Sequence, residues 1–447
     1  MNKFFDAVII GAGPAGSVTA YTLANSRETL KIAVIEKGAS LQKRAILIKR
    51  PVLNINYESC AEVEGIAGAG GWSDGKLCLG PVGILDQFLG HNYQEEVNQV
   101  NQIFKDILGN KYHAPDDKIG STQLSKTLTQ EVTQVANLGT SIVRLGFHRM
   151  YTQAKKKGVK FLLEDLVVDV DTRDDHFTIE TKRGNFLQAK NVIVATGKCD
   201  LALVPKLIKR FNLKTIPTDP TLGFRIIVPI KELLRMKSFG NNPKLKCHLP
   251  NGDKVKTHCF TFAGEIIGYN CDKYMLVGGR ADTENPTDYA TVAILYKLSF
   301  GDAKTRKKIL YDTLEALSND FPNKIVYQHL ESFMKNDGKI RNVSVPLPYN
   351  SSMGNLIEYY PKYIIDATRT FIENLSQTYT MDMKQAVIVG PAAEWISDAI
   401  ATSIEMETDK KGLYIAGDGS GITQGIIASA VCGYRAAHAI LDRTSYS

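Results

Sequence analysis

A short apolar run, Ala7 to Ile10, ends directly on Gly11-Ala12-Gly13-Pro14-Ala15-Gly16, and a stretch of helical composition, Ser17 to Asn25, follows. A second apolar run, Ile32 to Ile35, stops at Glu36, twenty residues after Gly16. Strand, glycine turn, helix and second strand in this order constrain the fold more than any other feature of the chain. Each spacing answers a need of dinucleotide binding. Gly11 permits the tight exit from the strand, Gly13 lets the backbone approach a pyrophosphate, and Gly16 lets the helix pack closely on the sheet. The helix N-terminus offers N–H groups and a positive dipole end to phosphates, and Glu36 is placed to accept from ribose hydroxyls.

Two later segments repeat this glycine-rich style. Gly65 to Lys76 holds five glycines around Trp72, too many for a helix or strand interior, and reads as a loop approached closely by a ligand. Gly412 to Ala416 reads as a buried strand, Gly417-Asp418-Gly419-Ser420-Gly421 as a turn, and Gln424 onward as a helix. The turn before that helix suits an anionic or carbonyl group.

Between these ends the pattern changes. Tyr93 to Leu108 and Leu124 to Lys156 read as helices, with Gly120 and Gly139 as breaks. Val159 to Val170, Phe177 to Thr181 and Val192 to Ala195 read as strands, the last running into Thr196-Gly197. Gly223 to Val228, Thr257 to Phe262 and Tyr274 to Val277 read as strands of a mixed sheet, with Lys304 to Leu317 as a helix on one face. No internal repeat is present.

With 447 residues, 44% hydrophobic and 23% charged, the chain has the composition of an ordinary globular protein of more than one domain. Lys and Arg exceed Asp and Glu by 54 to 47, too small a surplus to announce a nucleic-acid binder. The surplus is uneven: between Leu201 and Lys256 twelve basic residues face three acids. That stretch is either a solvated basic face or a contact for an anionic substrate or partner. The seven scattered cysteines, without a Cys-x-x-Cys pair, suit a reducing cytoplasm and suggest no metal centre. No apolar run has the length of a membrane span, and Asp6 interrupts the apolar N-terminus.

Gly-Ala-Gly-Pro-Ala-Gly with Glu36, the Ala195-Thr196-Gly197 strand end and Gly412 to Gly419 together resemble the glutathione-reductase-type FAD domain. More narrowly, Gly68 to Leu77 and Gly417 to Gly421, followed by Gly425-Ile426-Ile427, are similar to a family of FAD-dependent dehydrogenases. The resemblance implies an α/β fold: a three-layer Rossmann-like FAD-binding domain with a parallel sheet, interrupted by an inserted mixed α+β substrate domain. The expected boundaries are 1–215 and 386–447 for the FAD domain and 216–385 for the insert.

Carried over by position, the resemblance gives Gly11, Gly13, Ala15 and Gly16 to the pyrophosphate and Glu36 to the adenosine ribose. Lys37 and Arg44 stand where ribose or pyrophosphate contacts occur, although Arg44 reads equally as a surface arginine. Val168 is expected to meet adenine through its backbone, Thr196 and Gly197 to lie along the dinucleotide, and Asp418 to meet a ribityl hydroxyl or the pyrophosphate. The flavin ring is expected between Gly70, Gly71, Trp72, Ser73 and the helix start at Gly425 and Ile426. N–H groups there would stabilise the negative charge of a reduced flavin.

FAD carries the difficult chemistry, and the protein supplies position, electrostatics and proton transfer. Polar groups expected to face the ring are Ser73, Asp74 and Lys76 in the glycine loop and Arg225 and His258 in the insert. His258 reads as a structural strand histidine or as an acid–base group, and Arg225 as an anion clamp or an ion-pair partner. No second G-x-G-x-x-G lies between Gly197 and Gly412, so NAD(P)H is expected only as a transient donor or acceptor. The reading is an FAD-dependent oxidoreductase that moves a hydride between flavin N5 and a small organic substrate at a C–C or C–N bond. The alternatives are a flavin monooxygenase using NAD(P)H and O2, or a flavin-fold binding protein without catalysis.

Overall fold

Uninterrupted apolar runs are buried on both faces of a sheet, and residues 7–10 and 32–35 are such runs. In the computed structural model, which describes residues 3–49, 60–80, 84–115, 119–237, 240, 242–337, 339, 343–379 and 382–445, Lys3–Ile10 and Ile32–Glu36 pair in parallel, with Ile10 opposite Ile35. Lys160–Leu163 extends the sheet beyond Ile32–Glu36. Phe186–Val194 pairs in parallel with the opening strand, Ile10 opposite Val194. This last strand changes neighbour halfway along its free edge. Its first half takes the antiparallel strand His176–Thr181, itself paired with Val167–Arg173, and its second half takes the parallel strand Leu413–Ile415. The chain's late strand is thereby bonded one strand away from its first.

The helices of this unit show why small residues recur. Pro14–Ala24 lies against Ile426–Ser445. A Cβ on Gly433 would stand 2.2 Å from the Ala15 carbonyl oxygen, and the Thr19 hydroxyl bonds both that oxygen and the Gly433 carbonyl at 2.9 Å. Across the sheet, Leu203–Phe211 buries Leu203, Val204 and Leu207 against Val167, Val170 and Phe177. Helices thus sit on one face and the strand pair with its helix on the other, a three-layer α/β Rossmann-like arrangement.

The chain divides into two compact units, residues 1–113, 140–217 and 397–447 in the first, and 114–139 and 218–396 in the second. The second is built on a nine-stranded sheet in the order Ser351–Met353, Ile325–His329, Val387–Glu394, Thr221–Pro229, Tyr289–Lys297, Lys254–Phe262, Lys244–His248, Leu128–Val132, Gly120–Gln123. All its pairs are antiparallel except the first. The hairpin Glu265–Cys271 and Tyr274–Arg280 packs on one face through Ile266, Met275 and Val277.

The helix expected over Leu124 to Lys156 is corrected. Gly120–Gln123, Leu128–Val132 and Val135–Asn137 are strands, and the helix spans Thr140–Lys156. Leu128 and Gln130 are buried while Thr129 and Glu131 are half-buried, a period of two. Gly139, at φ +78°, separates the two patterns. The glycine loop also carries more local structure than expected: Gly68–Trp72 is a single tight helical turn and Lys76–Cys78 a short strand. Among the described residues, no helix is long and apolar enough to cross a membrane.

Candidate functional site

Three glycines of the opening turn are required for different reasons, and the distances separate them. A Cβ on Gly11, which has φ +104°, would lie 2.6 Å from the Ala195 carbonyl oxygen. One on Gly16 would lie 2.0 Å from the Gly11 carbonyl oxygen and 3.3 Å from Ile9, so this glycine brings helix onto strand. Gly13 has an ordinary extended backbone, φ −69°, and its Cβ would meet nothing nearer than the Gly68 Cα at 3.9 Å. The polypeptide does not itself demand glycine at 13.

The Glu36 carboxylate ties the turn together. Oε2 accepts the Ala12 N–H at 2.7 Å, and Oε1 accepts those of Gly38 at 2.7 Å and Gly65 at 3.0 Å. A ribose hydroxyl would therefore share an acid already holding the loop beside it. Lys37 turns to Glu64, at 2.6 Å.

Arg44 is wholly buried, not a surface arginine. Nε bonds the Ala61 carbonyl at 2.9 Å, Nη1 that of Ile66 at 2.6 Å, and Nη2 those of Glu62 and Gly68 at 3.3 and 2.9 Å. Burial pulls its pKa down to about 10, with the Glu36 charge opposing, so it stays a cation at neutral pH. Its guanidinium lies 4.1 Å from the Trp72 ring, and that of Arg144 lies 5.1 Å from the same ring. Trp72, Gly70 and Gly71 are buried, and a Cβ on Gly71 would press on Ala67 at 2.8 Å. Arg144, on the helix Thr140–Lys156, carries no sequence signal for this role. Ser73 reaches back to the Gly70 carbonyl at 3.4 Å, and Asp74 pairs with the buried Lys76 at 3.1 Å.

The closing segment meets this turn. A Cβ on Gly70 would fall 2.9 Å from Ile426 and 3.2 Å from Pro14. One on Gly417 would fall 3.1 Å from the Ala15 Cβ, and the Gly419 N–H donates to the Thr196 carbonyl at 3.0 Å. Asp418 Oδ1 accepts from the Thr423 hydroxyl at 3.0 Å and the Ser429 hydroxyl at 2.6 Å, two partners the sequence reading missed. Gly425, at φ +92°, opens the helix Ile426–Ser445, whose first N–H groups have no partner within the helix.

These residues fit a dinucleotide. Among the described residues, the buried Thr196 hydroxyl has no hydrogen-bond partner, and no atom stands within 4 Å of where a Cβ would sit on Gly197 or Gly425. Val168 lies at an irregularity between Val167 and Asp169 that drops it from the ladder, and its carbonyl accepts from Lys206 at 2.9 Å.

In the second unit, Arg225 is buried rather than at a surface. Nη2 bonds the Cys259 carbonyl at 2.7 Å and the Thr261 hydroxyl at 3.1 Å, and Nε bonds the Thr291 hydroxyl. His258 is half-buried at a bulge between His258 and Thr261, and its Nδ1 lies 3.1 Å from the Cys259 sulfur.

Residues 5–218 match the sequence family described as pyridine nucleotide-disulphide oxidoreductase. A protein of Clostridium beijerinckii, described only as uncharacterised, is 23% identical over 98% of this chain and 80% of its own. Among solved structures, a complex of aklavinone-11 hydroxylase with FAD and aklavinone gives a TM-score of 0.45 at 12% identity, covering 99% of this chain. This chain spans only 64% of that hydroxylase. NikD, an amino acid oxidase of nikkomycin biosynthesis, gives 0.44 at 10% identity, covering 99% of this chain and 95% of its own. With the sequence match lying over the glycine turn, Glu36 and Thr196, residues 5–218 form an FAD-binding oxidoreductase unit related to the pyridine nucleotide-disulphide oxidoreductase family.

Proposed function

We propose that the chain oxidises or reduces a small organic substrate by hydride transfer at a C–C or C–N bond, with NAD(P)H or another external partner as the second redox reactant. The observation that carries the reading is the convergence of Gly13, Gly70, Thr196, Gly419 and Ile426 in one unit, beside a buried hydroxyl without a partner among the described residues. FAD, when bound, supplies hydride acceptance and donation at N5. Gly11, Gly13, Ala15 and Gly16 with the N-terminus of Pro14–Ala24 would hold its pyrophosphate, Glu36 its adenosine ribose, and Thr196, Gly197 and Asp418 the stretch between.

The remaining residues divide by what their bonds leave them able to do. Asp418, oriented by Thr423 and Ser429, presents a fixed carboxylate to a hydroxyl-bearing chain. The first N–H groups of Ile426–Ser445 can stabilise negative charge without reorganising. Asp74 and Lys76 form an ion pair that holds both side chains in place beside the glycine loop. Arg225 is held by strand residues and positions the Cys259 segment; His258 is a group of the second unit suited to acid–base work.

Anaerobic mixing of the oxidised protein with candidate metabolites, following loss of flavin colour, tests this reading. Bleaching by an organic substrate that persists without dioxygen is the expected result. NAD(P)H consumption coupled to entry of labelled oxygen into product would instead establish the monooxygenase reading. If Asp74→Ala and His258→Ala both leave turnover intact, these two residues have no part in the reaction.

A further inference from the structure

The basic stretch singled out in the sequence acquires a geometry in the second unit. Lys246 stands directly opposite Lys256 on neighbouring antiparallel strands, and Lys244, two residues before Lys246, shares its face. Lys256 is opposite Leu295, which places Lys297 two residues farther along on that same face. Thr221 is directly opposite Lys297, so its side chain projects to this side too. Like charges facing each other across a ladder oppose folding.

The neighbouring acids do not resolve this. Glu131 takes Lys246 at 2.6 Å, and Asp219 is shared between Lys297 at 2.9 Å and Arg306 at 3.1 Å. Among the described residues no carboxylate pairs with Lys256, whereas Glu131 stands directly opposite Lys244 in the ladder and Glu394 directly opposite Thr221. Lys256 is half-buried, and its burial together with Lys244, Lys246 and Lys297 pulls its pKa down, against the pull of Glu394. A second observation is independent of charge: Thr221 is only 1% exposed, and its buried hydroxyl has no hydrogen-bond partner among the described residues. An unpaired ammonium and an unpaired hydroxyl on one face both lack a ligand's acceptor oxygens.

We infer that Lys246, Lys256 and Lys297, with the Thr221 hydroxyl, form a binding site for a phosphate-class dianion. With the Arg306 guanidinium engaged by Asp219, the ammonium point charges suit a compact tetrahedral anion, whereas a planar carboxylate is best met by a guanidinium. The dianion is either free inorganic phosphate or the phosphomonoester of a nucleotide. The inference goes beyond the flavin reading and does not depend on it.

Isothermal titration of the full-length protein at constant ionic strength tests it, with inorganic phosphate, pyrophosphate and succinate as probes. Saturable binding of phosphate and pyrophosphate, but not succinate, is expected, weakened about tenfold or more by Lys256→Gln and a few-fold by Thr221→Val. Lys209→Gln, an exposed lysine of the same basic stretch, should leave binding unchanged. Without phosphate, Lys256→Gln should melt above wild type, because the facing charges are relieved. NADP+ binding more tightly than NAD+, by a ratio that Lys256→Gln erases, would assign the site to a phosphomonoester; no such preference would assign it to free phosphate. Absence of saturable binding, or equal binding by wild type and Lys256→Gln, would overturn the inference. Flavin content recorded in each variant keeps this outcome separate from the flavin reading.

Discussion

The carbonyl oxygen of Thr196 accepts the backbone N–H of Gly419 at 3.0 Å, joining the end of a central strand to a turn near the other end of the chain. The contact is tight on both sides, since a Cβ on Gly419 would lie 2.7 Å from that oxygen. Gly419→Ala is expected to part the two segments, lowering stability by about 1–3 kcal/mol and releasing FAD. Thermal melting and flavin absorbance after desalting would register both losses together.

Gly11 and Gly13 should behave oppositely. Gly11→Ala meets a carbonyl at 2.6 Å from a backbone at φ +104°, so the fold itself is weakened. Gly13→Val finds an allowed backbone, with its Cβ in ordinary contact with the Gly68 Cα at 3.9 Å, so melting should stay near wild type while retained flavin falls about tenfold or more. Unchanged flavin in a folded Gly13→Val protein would place the pyrophosphate elsewhere.

Arg44→Met should cost about 3–5 kcal/mol in denaturant unfolding, because four carbonyls lose a charged donor in a buried place. Arg44→Lys should recover little, since one ammonium cannot reproduce the fork. Flavin loss should accompany both substitutions, as the bonded carbonyls belong to the loop that meets Gly13.

Ser429→Ala removes a hydroxyl donor from Asp418 without touching the glycine turns. The expected result is FAD dissociation about tenfold faster with an unchanged melting temperature for the apoprotein, a change of about 1.5 kcal/mol. Dissociation indistinguishable from wild type would show that Asp418 needs no such orientation.

Glu407 supplies a pH-dependent contribution to stability. Burial disfavours its charge, but bonds from Arg443 and the Gly412 N–H overcome this and hold its pKa below the ordinary 4.5. A carboxylate with a lowered folded-state pKa stabilises fully above its unfolded value and loses that contribution as pH falls through the folded one. The melting difference between wild type and Glu407→Gln should therefore be constant near neutrality and shrink in acid. A difference that grows in acid would contradict this assignment.

The glycine turn and its acid were legible because each need of a dinucleotide leaves a local mark. Gly11, Gly16 and Glu36 stand at spacings fixed by one turn and one strand pair. Arg44 was not legible: nothing local tells a surface arginine from one whose carbonyl partners lie 17 to 24 residues away. Ser429 and Arg144 escaped for the same reason, since their partners are set by helix packing. The misread of Leu124 to Asn137 had a different cause. Its strands are short and their outward residues polar, so a period of two is carried by few buried positions, chiefly Leu128, Gln130 and Val135.

The parallel pairing of Val192, Ile193 and Val194 with Leu413, Tyr414 and Ile415 bears on biosynthesis. A ribosome releases the opening strand, the glycine turn and Glu36 long before the segment that must lie beside them. The nascent polypeptide therefore carries an unfinished nucleotide platform through more than two hundred residues of translation. Cofactor capture is then a late event, and a prematurely terminated product would emerge colourless.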